Sequence, residues 1–183
     1  AGMFAAYTLV NAGVKPIIIE KGQMVDDRQK TINQLWKNGI LNPDSNVQFG
    51  EGGAGFFSDG KLGTRVSSPH IQHIYRTFIK FGAKADILYE NKPHLGTDKL
   101  KDILKNFRQY LIEHGAEFHF NTSMKEIIFN KNREITALQL EDGRTITTDV
   151  IFLCTGHSSR KIYRMLLEKE VKLEPKEFAV GFR

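Results

Sequence analysis

Apolar and polar positions alternate along this chain with two periodicities, one typical of helices and one typical of strands. Helical spacing predicts helices over residues 3–12, 28–39, 69–81, 97–114 and 159–169. β-Branched or alternating runs predict strands at 14–20 and 116–121, a three-stranded meander over 124–150, and buried strands at 149–156 and 178–182. Helices that alternate with short apolar strands indicate an α/β architecture.

Single residues set the limits of several of these elements. We expect Gly13 to stop the first helix, Thr97 to cap the fourth, and Ser158 or Ser159 to cap the last. Periodicity disappears between residues 41 and 68, a glycine-rich stretch that we interpret as a loop.

Two segments compete for the role of a dinucleotide-binding turn. The loop matches the pattern G-x-G-x-x-G over Gly50–Gly55, but no helical periodicity follows it, and such a turn must open a helix. Gly2 instead opens an apolar helix as the third glycine of that fingerprint would, and the next strand ends at Glu20. A carboxylate there can accept hydrogen bonds from ribose hydroxyls and would repel the 2′-phosphate of NADP. The alternative is an ordinary αβ unit in which Glu20 only ends a strand.

The amino-acid composition is that of a globular protein and does not indicate a particular function. Hydrophobic residues make up 40% and charged residues 26% of the 183 residues, as in a globular protein with one domain and a core. No apolar run reaches the roughly 20 residues of a membrane span. The single cysteine, Cys154, excludes an intramolecular disulfide and predicts a reducing cytoplasm; we expect it to be a buried hydrophobe, not a redox thiol.

The net charge of the chain and the sequence at its two ends support two further expectations. The net charge of +5 is spread along the chain, which favours a solvated basic surface over a nucleic-acid patch. The chain opens on an apolar helix and stops inside a predicted strand, so we expect a fragment that is truncated at both ends.

Six collinear segments resemble one family, the FAD-dependent dehydrogenases among the two-dinucleotide-fold, glutathione-reductase-type FAD/NAD(P)-binding flavoproteins. These segments are "AGMFAAYTLVNAGVKPIIIEKG", "LWKNGILNPDSNVQFGEGGAGFFSDGKL", "KPHLGTDKL", "FNTSMKEI", "LCTGHSSRKIYRMLLEKEV" and "KEFAVGFR". The resemblance implies FAD as cofactor and a Rossmann-like three-layer α/β fold with a β-meander. It also implies that residues 1–40 and 97–183 form the incomplete FAD-binding domain, and that 41–96 form a glycine-rich loop plus a small helical insertion.

The resemblance also implies which residues contact FAD. Gly2 would approach the pyrophosphate, Glu20 with Lys21 beside it would hold the adenosine ribose, and Met124 would present backbone groups to the adenine. Thr155 and Gly156 would form the turn that packs against the nucleotide. The loop near the isoalloxazine would contribute the remaining candidates, Gly52, Gly53, Ser58, Asp59, Gly60 and Lys61.

Charged and histidine side chains add further candidates, each with an alternative. Lys61 would stabilise the negative charge of the reduced ring, or it is a solvated loop lysine. His94 and His157 are candidate proton donors or substrate contacts. His70 and His73 have no third ligand at useful spacing, so we predict no metal site.

The function indicated is an FAD-dependent oxidoreductase, a dehydrogenase that transfers hydride between a small-molecule substrate and flavin. NAD(P)H is a candidate electron donor, no catalytic residue is named, and no membrane or nucleic-acid partner is expected. The alternatives are a Rossmann-like nucleotide-binding or basic RNA-associated module without redox chemistry, and a flavoenzyme that modifies RNA.

Overall fold

The structure is a computed structural model that describes residues 1–57, 60–64, 66–90 and 93–177. Its α-helices are α1 (Gly2–Asn11), α2 (Val25–Asn38), α3 (His70–Lys80), α4 (Thr97–Glu113) and α5 (Arg160–Glu168). Its β-strands are β1 (Ile17–Ile19), β2 (Glu117–His119), β3 (Met124–Phe129), β4 (Ile135–Leu140) and β5 (Thr145–Thr147). These elements confirm the predicted α/β architecture with its meander.

The strands form two sheets with different pairing. β1 and β2 are parallel, with Ile18 opposite Phe118, so a long crossover must join them. β3, β4 and β5 form an antiparallel meander in which Leu138 lies opposite both Ile127 and Ile146. The parallel pair sets up one sheet edge, the carboxyl end of β1, where the candidate site lies.

Glycines end several helices as the sequence predicts, but one predicted cap is wrong. α2 ends at Gly39, which has φ 69° and donates its N–H to the carbonyl of Leu35. Thr97 is the first residue of α4, and the cap position belongs to Gly96. The reason lies in the backbone, because the residue at the cap position has φ 75°, a conformation that favours glycine over threonine.

The main core joins α1, α3, α4 and the turn after α3. Phe81 stacks on Phe107 with ring centroids 4.5 Å apart, and Tyr7 meets Phe107 edge-on at 5.5 Å. α3 therefore packs in the same core as α1 and α4, although the sequence suggests that it belongs to an insertion. The buried members of this core are Ala6, Val10, Phe81, Ala83, Ile87, Ile103, Phe107, Leu111 and Ala116.

A second core holds the meander against α5. Its buried members are Ile127, Leu138, Leu140, Met165 and Leu166, and Ile19 of β1 packs against them. The described part of the chain contains no helix long and apolar enough to cross a membrane.

The predicted buried strand over residues 149–156 is wrong. This segment belongs to neither sheet, and the exposed fractions of Val150, Phe152 and Leu153 are 60%, 59% and 42%. Cys154 is exposed as well, which corrects the expectation of a buried cysteine. The physical reason is that no strand among the described residues pairs with this segment. The last predicted strand, 178–182, lies outside the described residues.

Candidate functional site

The first turn of α1 lies beside residues 154–156, a turn at the end of the exposed segment. A Cβ on Gly2 would lie 3.6 Å from the Cβ of Cys154, an ordinary van der Waals distance. α1 begins at Gly2, and no acidic residue lies in its first turn. A helix start offers backbone N–H groups and a positive dipole end, which can bind an anion next to residues 154–156.

α5 holds that turn in place through two hydroxyl groups. The Tyr163 hydroxyl donates to the carbonyl of Gly156 at 3.1 Å, and the Ser159 hydroxyl donates to the carbonyl of Thr155. Gly156 has φ 70°, which favours glycine. Ser159 occupies the predicted cap position of α5, but its hydroxyl bonds backward to Thr155 and makes no capping bond.

Glu20 is held at the carboxyl end of β1. Its backbone N–H donates to the carbonyl of His119 at 2.9 Å, and its own carbonyl accepts from Thr122 at 3.1 Å. One carboxylate oxygen accepts the N–H of Gly22 at 2.7 Å, and the side chain is half-buried. The carboxylate is thus fixed at the sheet edge at which open α/β sheets bind nucleotides.

The glycine-rich segment packs against the connection that follows Glu20. A Cβ on Gly22 would lie 2.5 Å from the Cα of Gly50, so the two backbones are in direct contact. The N–H of Glu51 donates to the carbonyl of Gln23 at 3.0 Å. Lys21 forms a 2.7 Å ion pair with Asp44, an exposed pair that adds little stability. Residues 44–51 therefore lie beside Glu20.

A buried arginine connects α2 to this segment. Arg28 has 0% exposed surface, and its Nε donates to the carbonyl of Asn46 at 2.9 Å. Its Nη1 donates to the carbonyls of Glu51 at 2.6 Å and Gly50 at 3.4 Å. Burial lowers the pKa of Arg28 to about 10, while the nearby carboxylates of Glu20 and Glu51 act in the opposite direction.

A buried glutamate completes this group. Glu51 is 4% exposed; its Oε2 accepts the N–H of Val25 at 2.8 Å, at the start of α2, and also pairs with Arg108 of α4. Burial raises the pKa of the Glu51 carboxyl, against the effects of the Val25 N–H and Arg108. Among the described residues, Nη2 of Arg28 and Oε1 of Glu51 are buried polar atoms without a hydrogen-bond partner.

The chemistry of this region fits an adenine dinucleotide. Glu20 offers a fixed acceptor for ribose hydroxyls, and the start of α1 offers backbone donors for phosphate oxygens. Arg28 supplies a buried positive charge beside Glu20. FAD, the cofactor implied by the resemblance, carries both a ribose and a pyrophosphate.

Three other predicted site residues, Gly60, Lys61 and His94, lie close together near the start of α4. Lys61 forms an isolated β-bridge with His94, and the N–H of Leu95 donates to the carbonyl of Gly60 at 2.9 Å. Lys61 and Leu62 also line a cavity of about 240 Å³ at the side of α3. Gly60 and Lys61 therefore lie together with His94.

The remaining predicted residues have mainly packing contacts. A Cβ on Gly52 would lie 2.6 Å from Cδ1 of Leu104, whereas a Cβ on Gly53 would have no atom of the described part of the chain within 4 Å. Met124 begins β3 opposite Leu140. Ser58 and Asp59 lie outside the described residues.

The histidines show no metal centre in the part of the chain that the structure describes. No group of three or more His, Cys, Asp or Glu side chains there could hold an ion. Nε2 of His157 lies 3.2 Å from Oγ of Ser158, and His73 lies beside the ring of Tyr7 with centroids 6.2 Å apart.

Sequence reasoning missed Arg28, Glu51 and Arg108. A signal exists for Arg28, because it shares one face of α2 with buried Val25 and Ile32, at spacings of three and four residues. A charged residue within an apolar stripe indicates a buried ion. Glu51 has no such signal, since it lies in a loop without periodicity.

Known proteins resemble this chain over its whole length. Residues 74–177, more than half of the chain, match the profile of the pyridine nucleotide-disulphide oxidoreductase family. An uncharacterised protein of Clostridium beijerinckii (strain ATCC 51743 / NCIMB 8052) is 45% identical over 183 residues, which are 100% of this chain and 34% of that protein. The chain thus spans about a third of the length of the curated relative that it matches.

Solved structures of PqsL from Pseudomonas aeruginosa also align with the chain. One is described as a probable FAD-dependent monooxygenase, with a TM-score of 0.48 and 16% identity, over 97% of this chain and 44% of that one. PqsL in complex with 2-aminobenzoylacetate gives the same TM-score and identity, over 97% of this chain and 45% of that one.

The family match decides the class of the chain. It confirms the prediction of a nucleotide-binding oxidoreductase domain of the FAD-dependent class, with FAD as cofactor. The predicted resemblance to glutathione-reductase-type flavoproteins is confirmed at the level of the family. The chain belongs to the pyridine nucleotide-disulphide oxidoreductase family.

Proposed function

We propose that the whole protein is an FAD-dependent dehydrogenase and that this chain is its FAD-binding portion. The observation that carries the proposal is the position of Glu20, a fixed carboxylate at the carboxyl end of β1. A second feature supports it, because the start of α1 lies against Cys154, next to Thr155 and Gly156. A ribose and a pyrophosphate need these two kinds of group.

The residues around Glu20 would hold the adenosine half of FAD. Glu20 accepts hydrogen bonds from the ribose hydroxyls, with Lys21 beside it, and Gly2 leaves room for a phosphate at the start of α1. Met124 presents backbone groups to the adenine at the start of β3. Thr155 and Gly156 line the nucleotide in a turn that is anchored to α5.

The later part of the glycine-rich loop, residues 52–61, would contact the isoalloxazine half. Gly52, Gly53, Gly60 and Lys61 are the described candidates, and Ser58 and Asp59 are proposed with them. When bound, FAD supplies hydride chemistry at its ring. Lys61 would stabilise negative charge on that ring, and the bridge to His94 supports its backbone position. Residues 41–96 would then act as a loop and insertion within an FAD-binding domain of residues 1–40 and 97–183.

Substrate, electron donor and compartment belong to the same proposal. The substrate is a small molecule, and NAD(P)H is the proposed electron donor. The single cysteine supports a reducing cytoplasm.

The test uses the whole protein, expressed with its natural sequence. A purified protein that releases a yellow chromophore absorbing near about 450 nm, identified as FAD by mass, would support the proposal. A colourless protein that neither contains FAD nor binds it on titration would contradict it. Retention on RNA that weakens steeply with salt would favour the RNA-associated alternative.

A further inference from the structure

Arg28 is a charged side chain in a place where charge is costly. A buried guanidinium is tolerated when its N–H groups are bonded and its charge is balanced. Arg28 is fully buried, and its bonded N–H groups all reach backbone carbonyls of residues 46–51. The carboxylates of Glu20 and Glu51 balance its charge, and Glu20 accepts the N–H of Gly22, whose backbone contacts that of Gly50. One side chain thus couples the glycine-rich segment to the carboxylate at the end of β1.

The packing around Arg28 leaves it little freedom. Its Cζ lies 4.9 Å from the centroid of the Phe57 ring, and the backbone of Gly50 covers its aliphatic part. Glu51 is held separately by the start of α2 and by Arg108. The segment and the guanidinium therefore hold each other in place beside Glu20.

We propose that Arg28 is a positioning residue of the cofactor site, which holds residues 46–51 against the β1–α2 connection and keeps a positive charge behind Glu20. This inference rests on the proposed function, in which Glu20 binds the adenosine ribose. Arg28 itself does not touch the cofactor in this scheme. It acts through the orientation and charge of Glu20, as outer-shell partners orient the ligands of a bound group.

A double-mutant cycle in the whole protein tests the coupling. The FAD dissociation constant is measured by flavin fluorescence for wild type, Arg28→Lys, Glu20→Gln and the double variant. Lysine keeps the charge but loses the planar fork that bonds several carbonyls. We expect Arg28→Lys to weaken FAD binding about tenfold to a hundredfold in wild type, and much less in the Glu20→Gln background. Arg164→Lys, on the exposed face of α5, is the matched control and should leave binding unchanged.

Each outcome decides between a positioning role and a structural one. A wild-type protein that does not bind FAD would refute the proposed function before any variant is compared. If wild type binds FAD and Arg28→Lys binds it equally well, the inference is wrong. An equal loss in both backgrounds would also overturn it, because Arg28 would then act independently of Glu20.

Wild type alone gives a second test if the Arg28 variant does not fold. Amide hydrogen exchange is followed for residues 46–51 with and without FAD. We expect these amides to gain protection when FAD is bound, because the segment is coupled to Glu20 through Arg28. Unchanged protection in the FAD-bound protein would overturn the inference.

Discussion

Gly50 and Arg28 meet so closely that a Cβ on Gly50 would lie 2.6 Å from Cδ of Arg28. Gly50 also has φ 113°, a conformation that other L-residues rarely adopt. The guanidinium passes beneath this backbone to reach the carbonyls of Asn46 and Glu51. Glycine is required here for steric reasons, and the motif around it need not bind phosphate to explain its presence.

Gly50→Ala should therefore destabilise the protein. Backbone strain together with displacement of Arg28 should lower the free energy of unfolding by about 1–3 kcal/mol or more, measured by urea denaturation. Gly63→Ala is the matched control, since no atom of the described residues lies within 4 Å of its added Cβ, and it should change stability by less than about 0.5 kcal/mol. Equal effects of the two substitutions would contradict this account.

The aromatic core should tolerate truncation poorly. Phe107 is 1% exposed and stacks on Phe81, so Phe107→Ala should cost about 3–5 kcal/mol of stability. Phe152→Ala removes the same side chain where it is 59% exposed and should cost less than about 1 kcal/mol. Thermal unfolding of both variants checks the difference, and a similar cost at the two positions would argue against the packing described.

Glu51 should make stability depend on pH in one direction. Burial raises its pKa above the ordinary value of about 4.3, so the folded state binds its proton more tightly than the unfolded state. The contribution of Glu51 to the free energy of unfolding is fully present below about pH 4.3 and is lost as pH rises through the folded-state pKa. The free energy of unfolding of wild type relative to Glu51→Gln should therefore decrease as pH rises from about 4 towards 8.

Asp26 should have the opposite effect. The side-chain hydrogen bond from Lys105, aided by Lys101, lowers the pKa of Asp26. The contribution of Asp26 to the free energy of unfolding is present above its ordinary pKa of about 3.9 and is lost as pH falls through the folded-state pKa. Urea denaturation of Asp26→Asn and Glu51→Gln between pH 3 and 8 compares the two slopes, and slopes of the same sign would refute the assignments.

Glu20 should control FAD affinity if it binds the ribose. Glu20→Gln removes the charge from hydrogen bonds worth about 1.5–3 kcal/mol, so FAD binding should weaken roughly tenfold to a hundredfold. Isothermal titration of the whole protein measures this change. Glu168→Gln, at the exposed end of α5, is the control. Unchanged affinity in Glu20→Gln would place the ribose elsewhere.

Local signals predicted most of the helices and the meander. Apolar spacing together with Gly13 and Gly39 located α1 and α2 to within a few residues, because helix periodicity and stop signals lie within one stretch of chain. The segment at 149–156 reads as a strand for the same kind of reason, yet strand pairing and burial depend on neighbours elsewhere in the sequence. The exposure of this segment to solvent could not be predicted from its own amino-acid sequence.

The sequence by itself determined the α/β class, the placement of Gly2 and Glu20 at the ends of their elements, and the rejection of Gly50–Gly55 as a helix-opening turn. In the structure the motif runs into a four-residue 3₁₀ turn, Ala54–Phe57, which contains Gly55, and no α-helix begins there. Only the tertiary structure decided that this segment lies beside Glu20 and is held there by buried Arg28 and Glu51. The physical reason is that periodicity reports which face of an element is buried, whereas a loop is positioned by hydrogen bonds and charges that come from other elements.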